Sequence, residues 1–225
     1  MCIVEKLAKT IPITLYKESG AVFYSGRSAF NKPSDLYILG LNPGGSAEDS
    51  QNYTIKTNID DTLNNNDREN WSEYRDGDWG GKPGTKGMQP RVLHLLKELN
   101  LDPQSVPASN VVFARTVSEH ELGDSFLTLA NQCWAFHEAV ISNMKVKVIL
   151  CFGQTAGYHV ATKLNVIQKH TDLTFTETNK RKYVTDTYSN SSGQYVIITT
   201  HPSRVNWGNP DSDPSDLVKK VLDRC

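Results

Sequence analysis

Short apolar runs alternate along the chain with longer stretches in which apolar positions recur every three or four residues. The runs are 36–41 (LYILGL), 110–115 (NVVFAR), 146–152 (VKVILCF) and 195–200 (YVIITT). Each is too short for a helix and stops at glycine or polar punctuation, so each predicts a buried strand. Residues 89–101 carry Val92, Leu93, Leu95, Leu96 and Leu99 at helical spacing, with Asn100 and Pro103 marking the end. Residues 125–145 predict a longer amphipathic helix with Leu127, Ala130, Cys133, Trp134, His137, Val140, Ile141 and Met144 on one face. Residues 154–164 and 213–224 predict two more helices, the last with Pro214 in its first turn. Apolar strands alternating with helices predict an α/β fold, a three-layer α/β/α domain around a central four-stranded parallel sheet. Ligands of such sheets sit at the carboxyl ends of the strands. Two loops there, 40–46 (GLNPGGS) and 201–209 (HPSRVNWGN), are predicted to converge.

Two segments interrupt the alternation. Residues 54–87 are polar, yet hold Trp71, Tyr74 and Trp79 among Asn, Asp and Gly. They read either as a surface that packs on a polar ring or an unstacked base, or as a solvated loop whose aromatics tuck onto the domain. Residues 169–192, with Lys180, Arg181 and Lys182 in succession, read as a β-hairpin or a surface arm. The 225 residues thus predict one domain, 1–225, with a larger and a smaller insert.

Charge and composition narrow the function. The formal net charge of −1 excludes a globally basic nucleic-acid coat, though not a local basic face. Cys2, Cys133, Cys151 and Cys225 are scattered, without a C-x-x-C pair, so neither a metal site nor a cofactor is expected from them. The apolar runs are too short to span a bilayer. The N-terminus lacks a signal peptide's unbroken apolar core, so a cytoplasmic, monomeric protein is expected.

The first loop has neither the Gly-Lys-Ser/Thr ending of a P-loop nor G-x-G-x-x-G. Pro43 stiffens it and leaves Asn42 as the polar side chain at the strand end. The second loop delivers His201 at another strand end. Together, GLNPGG and HPSRVN resemble the two signature motifs of the uracil-DNA glycosylase superfamily, closest in pattern to its mismatch-specific and single-strand-selective branches. The first motif matches at Gly40, Asn42, Pro43 and Gly44, and the second at His201, Pro202 and Ser203. Between them, CWAFHEAVISNMKVKVILCFGQTA resembles the family's helix–strand–Gly–helix segment.

The resemblance implies a DNA glycosylase that flips a nucleotide out of the stack and hydrolyses its N-glycosidic bond. Asn42 would hold the attacking water, and His201 would stabilise the departing base. Backbone N–H groups of Gly44, Gly45 and Ser46 and the Ser203 hydroxyl would hold phosphates of duplex or single-stranded DNA. Val205 falls at the family's wedge position, with Arg204 or Trp207 sharing that role.

Three features bear on the base, two of them departures from the family's pattern. Uracil-cleaving branches often carry a bulky Tyr after the motif proline, where this chain has Gly44, so the pocket is expected to be open beside the base's 5-position. The family's base-reading Asn at the end of the next strand aligns with Arg115, or with Ala114 or Thr116. Arg115 offers only donors, which suit cytosine, or else it pairs with Glu119 or Asp124. Tyr53 best meets the expectation of a stacking aromatic. These features predict cleavage of a 5-substituted pyrimidine such as a modified cytosine. The alternatives are a uracil or mismatched-thymine glycosylase, a non-catalytic DNA- or protein-binding member of the fold, and a hydrolase of free nucleosides, for which the wedge loop has no use.

Overall fold

A computed structural model describes residues 2–48 and 50–225. At its centre lie β1 (Leu36–Gly40), β2 (Ala108–Asn110), β3 (Val148–Phe152) and β7 (Tyr195–Thr199), all parallel, in the order β2-β1-β3-β7. Every residue of β1, β2 and β3 is buried. That burial is why the runs in β1 and β3 are apolar throughout: in-out alternation suits a sheet with one wet face, and this one is covered on both. The four-stranded parallel unit expected from the pattern is therefore present.

The sheet continues past β7 through an antiparallel edge. Its strands β4 (Gln168–Lys169), β5 (Phe175–Thr176) and β6 (Val184–Ser189) come from the second insert, and β6 pairs with β7 and with both of the others. Of the two readings of residues 169–192, the hairpin is the one observed.

Alternate side chains of each strand enter two separate cores. Tyr37, Leu39, Ile149, Cys151, Val196 and Ile198 face one layer, built by α1 (Ile3–Ala8), α2 (Ile55–Asn64), α5 (Phe126–Met144) and α6 (Gln154–Lys163). Leu36, Ile38, Val148, Leu150, Phe152 and Ile197 face the other, covered by α3 (Gln89–Glu98) and α7 (Ser215–Leu222). A single turn, α4 (Glu119–Leu122), precedes α5. Among the described residues no helix is long and apolar enough to cross a membrane.

The first insert is folded onto the body. Thr54 caps α2, its side chain accepting from the Thr57 N–H at 3.1 Å. Tyr74 is 1% exposed and packs edge-on to Trp79 and Phe152. Trp79 donates its Nε1–H to Glu73 (2.7 Å), and the Arg68 guanidinium covers Trp71 at 3.8 Å. The aromatics of residues 54–87 thus take the tucked arrangement.

Strand β2 ends earlier than the apolar run predicts. Past Asn110, consecutive N–H groups of Val111 and Val112 bond consecutive carbonyls of Gly40 and Leu41, both at 2.9 Å. A regular parallel ladder does not bond successive residues of one strand to the same neighbour, so residues 111–116 accompany β1 irregularly. One parallel bridge, Gly44 to Thr116, renews the contact.

Candidate functional site

Four parallel strands place four chain ends on one edge of the sheet. Asn42 lies two residues past β1, Asn110 ends β2, Gly153 follows β3, and His201 lies two residues past β7. From β1 to β7 is two strand spacings, about 10 Å. Between them stands Phe152, its ring 6.1 Å from the His201 ring. Gly153 takes φ +92°, a region that disfavours other residues, and leaves this gap without a side chain.

Asn42 is held by its nitrogen. Nδ2 donates to Thr116 Oγ1 at 2.8 Å, to the Pro43 carbonyl at 3.0 Å and more distantly to the Ala114 carbonyl at 3.4 Å. The Thr116 hydroxyl gives its own proton to the Ser118 carbonyl at 2.9 Å, so it can only accept from Asn42. The amide is thereby fixed in one orientation, and its Oδ1 takes no hydrogen bond from any described residue.

His201 is held by Nδ1. The Ser203 backbone N–H reaches Nδ1 at 3.1 Å, and the Ser203 hydroxyl lies 2.7 Å from it. A nitrogen that accepts carries no proton, so the proton sits on Nε2 and the ring can donate from there. Burial, with a smaller push from Arg204, lowers the pKa of His201 to about 4, against a small opposing pull from Glu119. The imidazole is therefore neutral at pH 7. Glu119 in turn accepts from the Thr155 hydroxyl, which carries the segment after Thr116 across the end of β3 towards His201.

Asn110 is the residue that motif reading missed. It is 3% exposed, and its Nδ2 has no hydrogen-bond partner, an unusual state for a buried donor. Its Oδ1 lies where a Cβ on Gly40 would fall, 2.2 Å away. The glycine of the first motif thus lets the Asn110 side chain lie over the end of β1. Tyr24 stands beside it. Burial and Glu73 raise the Tyr24 pKa to about 12, against weaker opposing effects of Asn110 and Arg115. The available signal was a polar residue opening an apolar run, at NVVFAR; aligning the end of that run instead pointed to Arg115.

Arg115 does not end a strand. Its Nη1 donates to the Gly44 carbonyl, and it forms no ion pair with Glu119 or Asp124 among the described residues. It braces the first loop. Gly44 itself faces open space, with no atom within 4 Å of where a Cβ would be, and Gly45 takes φ +102°. Ser46 is half-buried. Tyr53 is 70% exposed, and its carbonyl accepts from Gly20, which pairs with Ala114 at the rim of the site.

The second loop corrects two expectations. Val205 is 4% and Trp207 1% exposed, and Trp207 packs on Phe152 with ring centroids 5.4 Å apart. Both are anchored in the core beneath the loop, so neither is available as a wedge. Ser203, Arg204, Asn206 and Asn209 are the exposed side chains there. The loop is also clamped from outside, since Arg91 donates to the Pro202 carbonyl. Ser203, expected at a phosphate, directs its donors to His201. Among the described residues no group of three or more His, Cys, Asp or Glu side chains is placed to hold a metal ion.

No curated protein matches the chain. The family model described as the uracil DNA glycosylase superfamily matches residues 27–224, which include both loops, all seven strands and both inserts. With most of its length so matched, the chain belongs to the uracil DNA glycosylase superfamily.

Proposed function

We propose that the protein is a monofunctional DNA glycosylase that takes a pyrimidine nucleotide out of the stack and hydrolyses its N-glycosidic bond, working as a monomer in the cytoplasm. The observation that carries this reading is a complementary pair at one sheet edge. Asn42 is tied down by its donors and left with a free acceptor. His201 is tied down by its acceptor and left with a free donor. In the reaction the C1′–N bond breaks and its electron pair leaves with the base. The Nε2–H of His201 donates to the base oxygen on which that charge gathers, a role worth about 2.7–4 kcal/mol for a well-aimed donor. Asn42 Oδ1 accepts from a water whose oxygen bonds C1′, and the water's proton passes to solvent. An amide is too weak a base to ionise water first, so bond breaking leads and the water follows. The products are a free base and an abasic site.

Asn110 rather than Arg115 is the group we assign to the base's polar edge. Its unpartnered Nδ2–H suits a carbonyl acceptor such as O4 of a uracil-type base. The open space at Gly44 favours tolerance of a 5-substituent on that base. A modified cytosine is the second reading. It draws on that same space, but the cytosine argument from Arg115 is weakened, because that side chain braces Gly44.

The test is a set of oligonucleotides bearing uracil, a thymine mismatch, 5-hydroxymethyluracil, 5-hydroxymethylcytosine or its glucosylated form, each assayed for alkali-labile sites. Release of uracil-type bases, with or without the substituent, supports the first reading. Release of the cytosines alone supports the second. No release from any of them contradicts the glycosylase reading.

A further inference from the structure

We propose that the β5–β6 arm is a second DNA-contacting element, one that binds the sugar-phosphate backbone beside the 201–207 loop. The proposal rests on the glycosylase reading above and adds to it a surface outside the two motifs. Residues 177–183 form the tip of the arm, closed by the Glu177 N–H bonding the Tyr183 carbonyl at 2.9 Å. The tip is docked on the second loop. Arg181 Nη1 donates to the Arg204 carbonyl, and the Thr178 backbone N–H bonds the Asp211 carbonyl at 3.0 Å.

Charge is sorted across this junction. The acid of the tip, Glu177, is 2% exposed and accepts from Asn179 Nδ2 at 2.7 Å. Asp211, on the loop side, accepts from the Thr178 hydroxyl. Lys180, Arg181, Lys182 and Arg204 are all exposed, and none forms an ion pair among the described residues. In a chain of net charge −1 this is a local concentration of unneutralised positive charge. Tyr183, 41% exposed, adds an aromatic face next to the cations. Cations interleaved with an aromatic fit a nucleic-acid backbone and its bases better than an acidic peptide. Arg181 spends one N–H group on the clamp and keeps the rest of its five donors for a phosphate. The clamp also couples the two elements, so a strand held by the arm passes beside Arg204.

The experiment measures binding of a duplex holding a non-cleavable abasic analogue, by fluorescence anisotropy across a salt series. The variant is Lys180→Ser/Lys182→Ser, which leaves the Arg181 clamp in place. The control is Lys6→Ser/Lys9→Ser, an equal charge loss on α1 and its C-cap, a helix that packs in the core on the other face of the sheet. Each phosphate contact contributes about 0.9 to the slope of log affinity against log salt, so losing two should lower it by about 1.8. The control should keep the parent slope. An unchanged slope and affinity in the arm variant, with the parent binding normally, overturns the arm assignment alone. A parent that binds no DNA overturns the glycosylase reading and the arm together.

Discussion

Replacing Thr116 by valine isolates the device that orients Asn42. The Asn42 Nδ2 contact to Thr116 Oγ1, at 2.8 Å, is the shortest of its three. Valine keeps the branched shape and removes the acceptor. Nδ2 retains the Pro43 carbonyl at 3.0 Å and the weak Ala114 contact at 3.4 Å, so the amide loosens without being freed. A neutral hydrogen bond of this kind is worth about 0.5–1.5 kcal/mol net. At about 1.4 kcal/mol per factor of ten in rate, loss of the fixed orientation predicts single-turnover excision roughly 2- to 10-fold slower. DNA affinity should be unchanged, because Thr116 orients the water-binding amide and touches no phosphate in this account. Thr116→Ser restores the acceptor and should restore most of the rate. The assay is single-turnover excision with enzyme in excess, beside a separate Kd. A valine variant at the parent rate, or a serine variant as slow as valine, would show that Thr116 does not set the orientation of Asn42.

Three other changes follow from the packing. Gly40→Ala drives a Cβ into Asn110 Oδ1, and should slow excision at least about tenfold while destabilising the fold by about 1–3 kcal/mol; parent activity in that variant would remove Asn110 from the site. Trp207→Ala should cost about 3–5 kcal/mol in a denaturant titration because the ring is buried, whereas Arg204→Ala should spare stability and weaken activity on duplex more than on single strands. Equal losses on both substrates would count against Arg204 as the group entering the duplex. Burial holds His137 at about 3 and His201 at about 4, both below the ordinary value of 6.5. Below pH 6.5 the unfolded chain therefore binds protons that the folded chain refuses. The melting temperature should fall as pH drops from 6.5 towards 4, and His201→Asn should flatten part of that fall; an identical slope in the variant would argue against a depressed His201.

The sheet was legible because its strands are buried on both faces, and that burial is written as unbroken apolar runs. The proposed pair was picked out because motif spacing put Asn42 and His201 just past the ends of two such runs. Features set by three-dimensional packing were harder to read. NVVFAR opens on Asn110 and stays apolar through Ala114, and nothing in it marks Asn110 as the last regular strand residue, because Val111, Val112 and Phe113 after it are buried as deeply. Val205 and Trp207 sit in a polar loop sequence, yet the chain turns both inward against Phe152 and its neighbours. The inverse holds for residues 54–87. Their polarity suggested exposure, while Tyr74 joins Tyr24, Phe152 and Trp207 as a buried ring of the second layer. The antiparallel edge was ambiguous because Lys180, Arg181 and Lys182 cap a hairpin whose strands are mostly polar.

Parent protein, Asn42→Ala and His201→Ala should be compared in single-turnover excision on one uracil-containing duplex, with folding checked by melting temperature. If Asn42 holds the water and His201 the departing base, the parent releases the base and leaves an alkali-labile site. The His201 variant should then be slower by about 2.7–4 kcal/mol, on the order of 100- to 1000-fold, and the Asn42 variant by at least about tenfold. Folded variants that both excise at the parent rate would contradict the assignment of chemistry to this edge of the sheet.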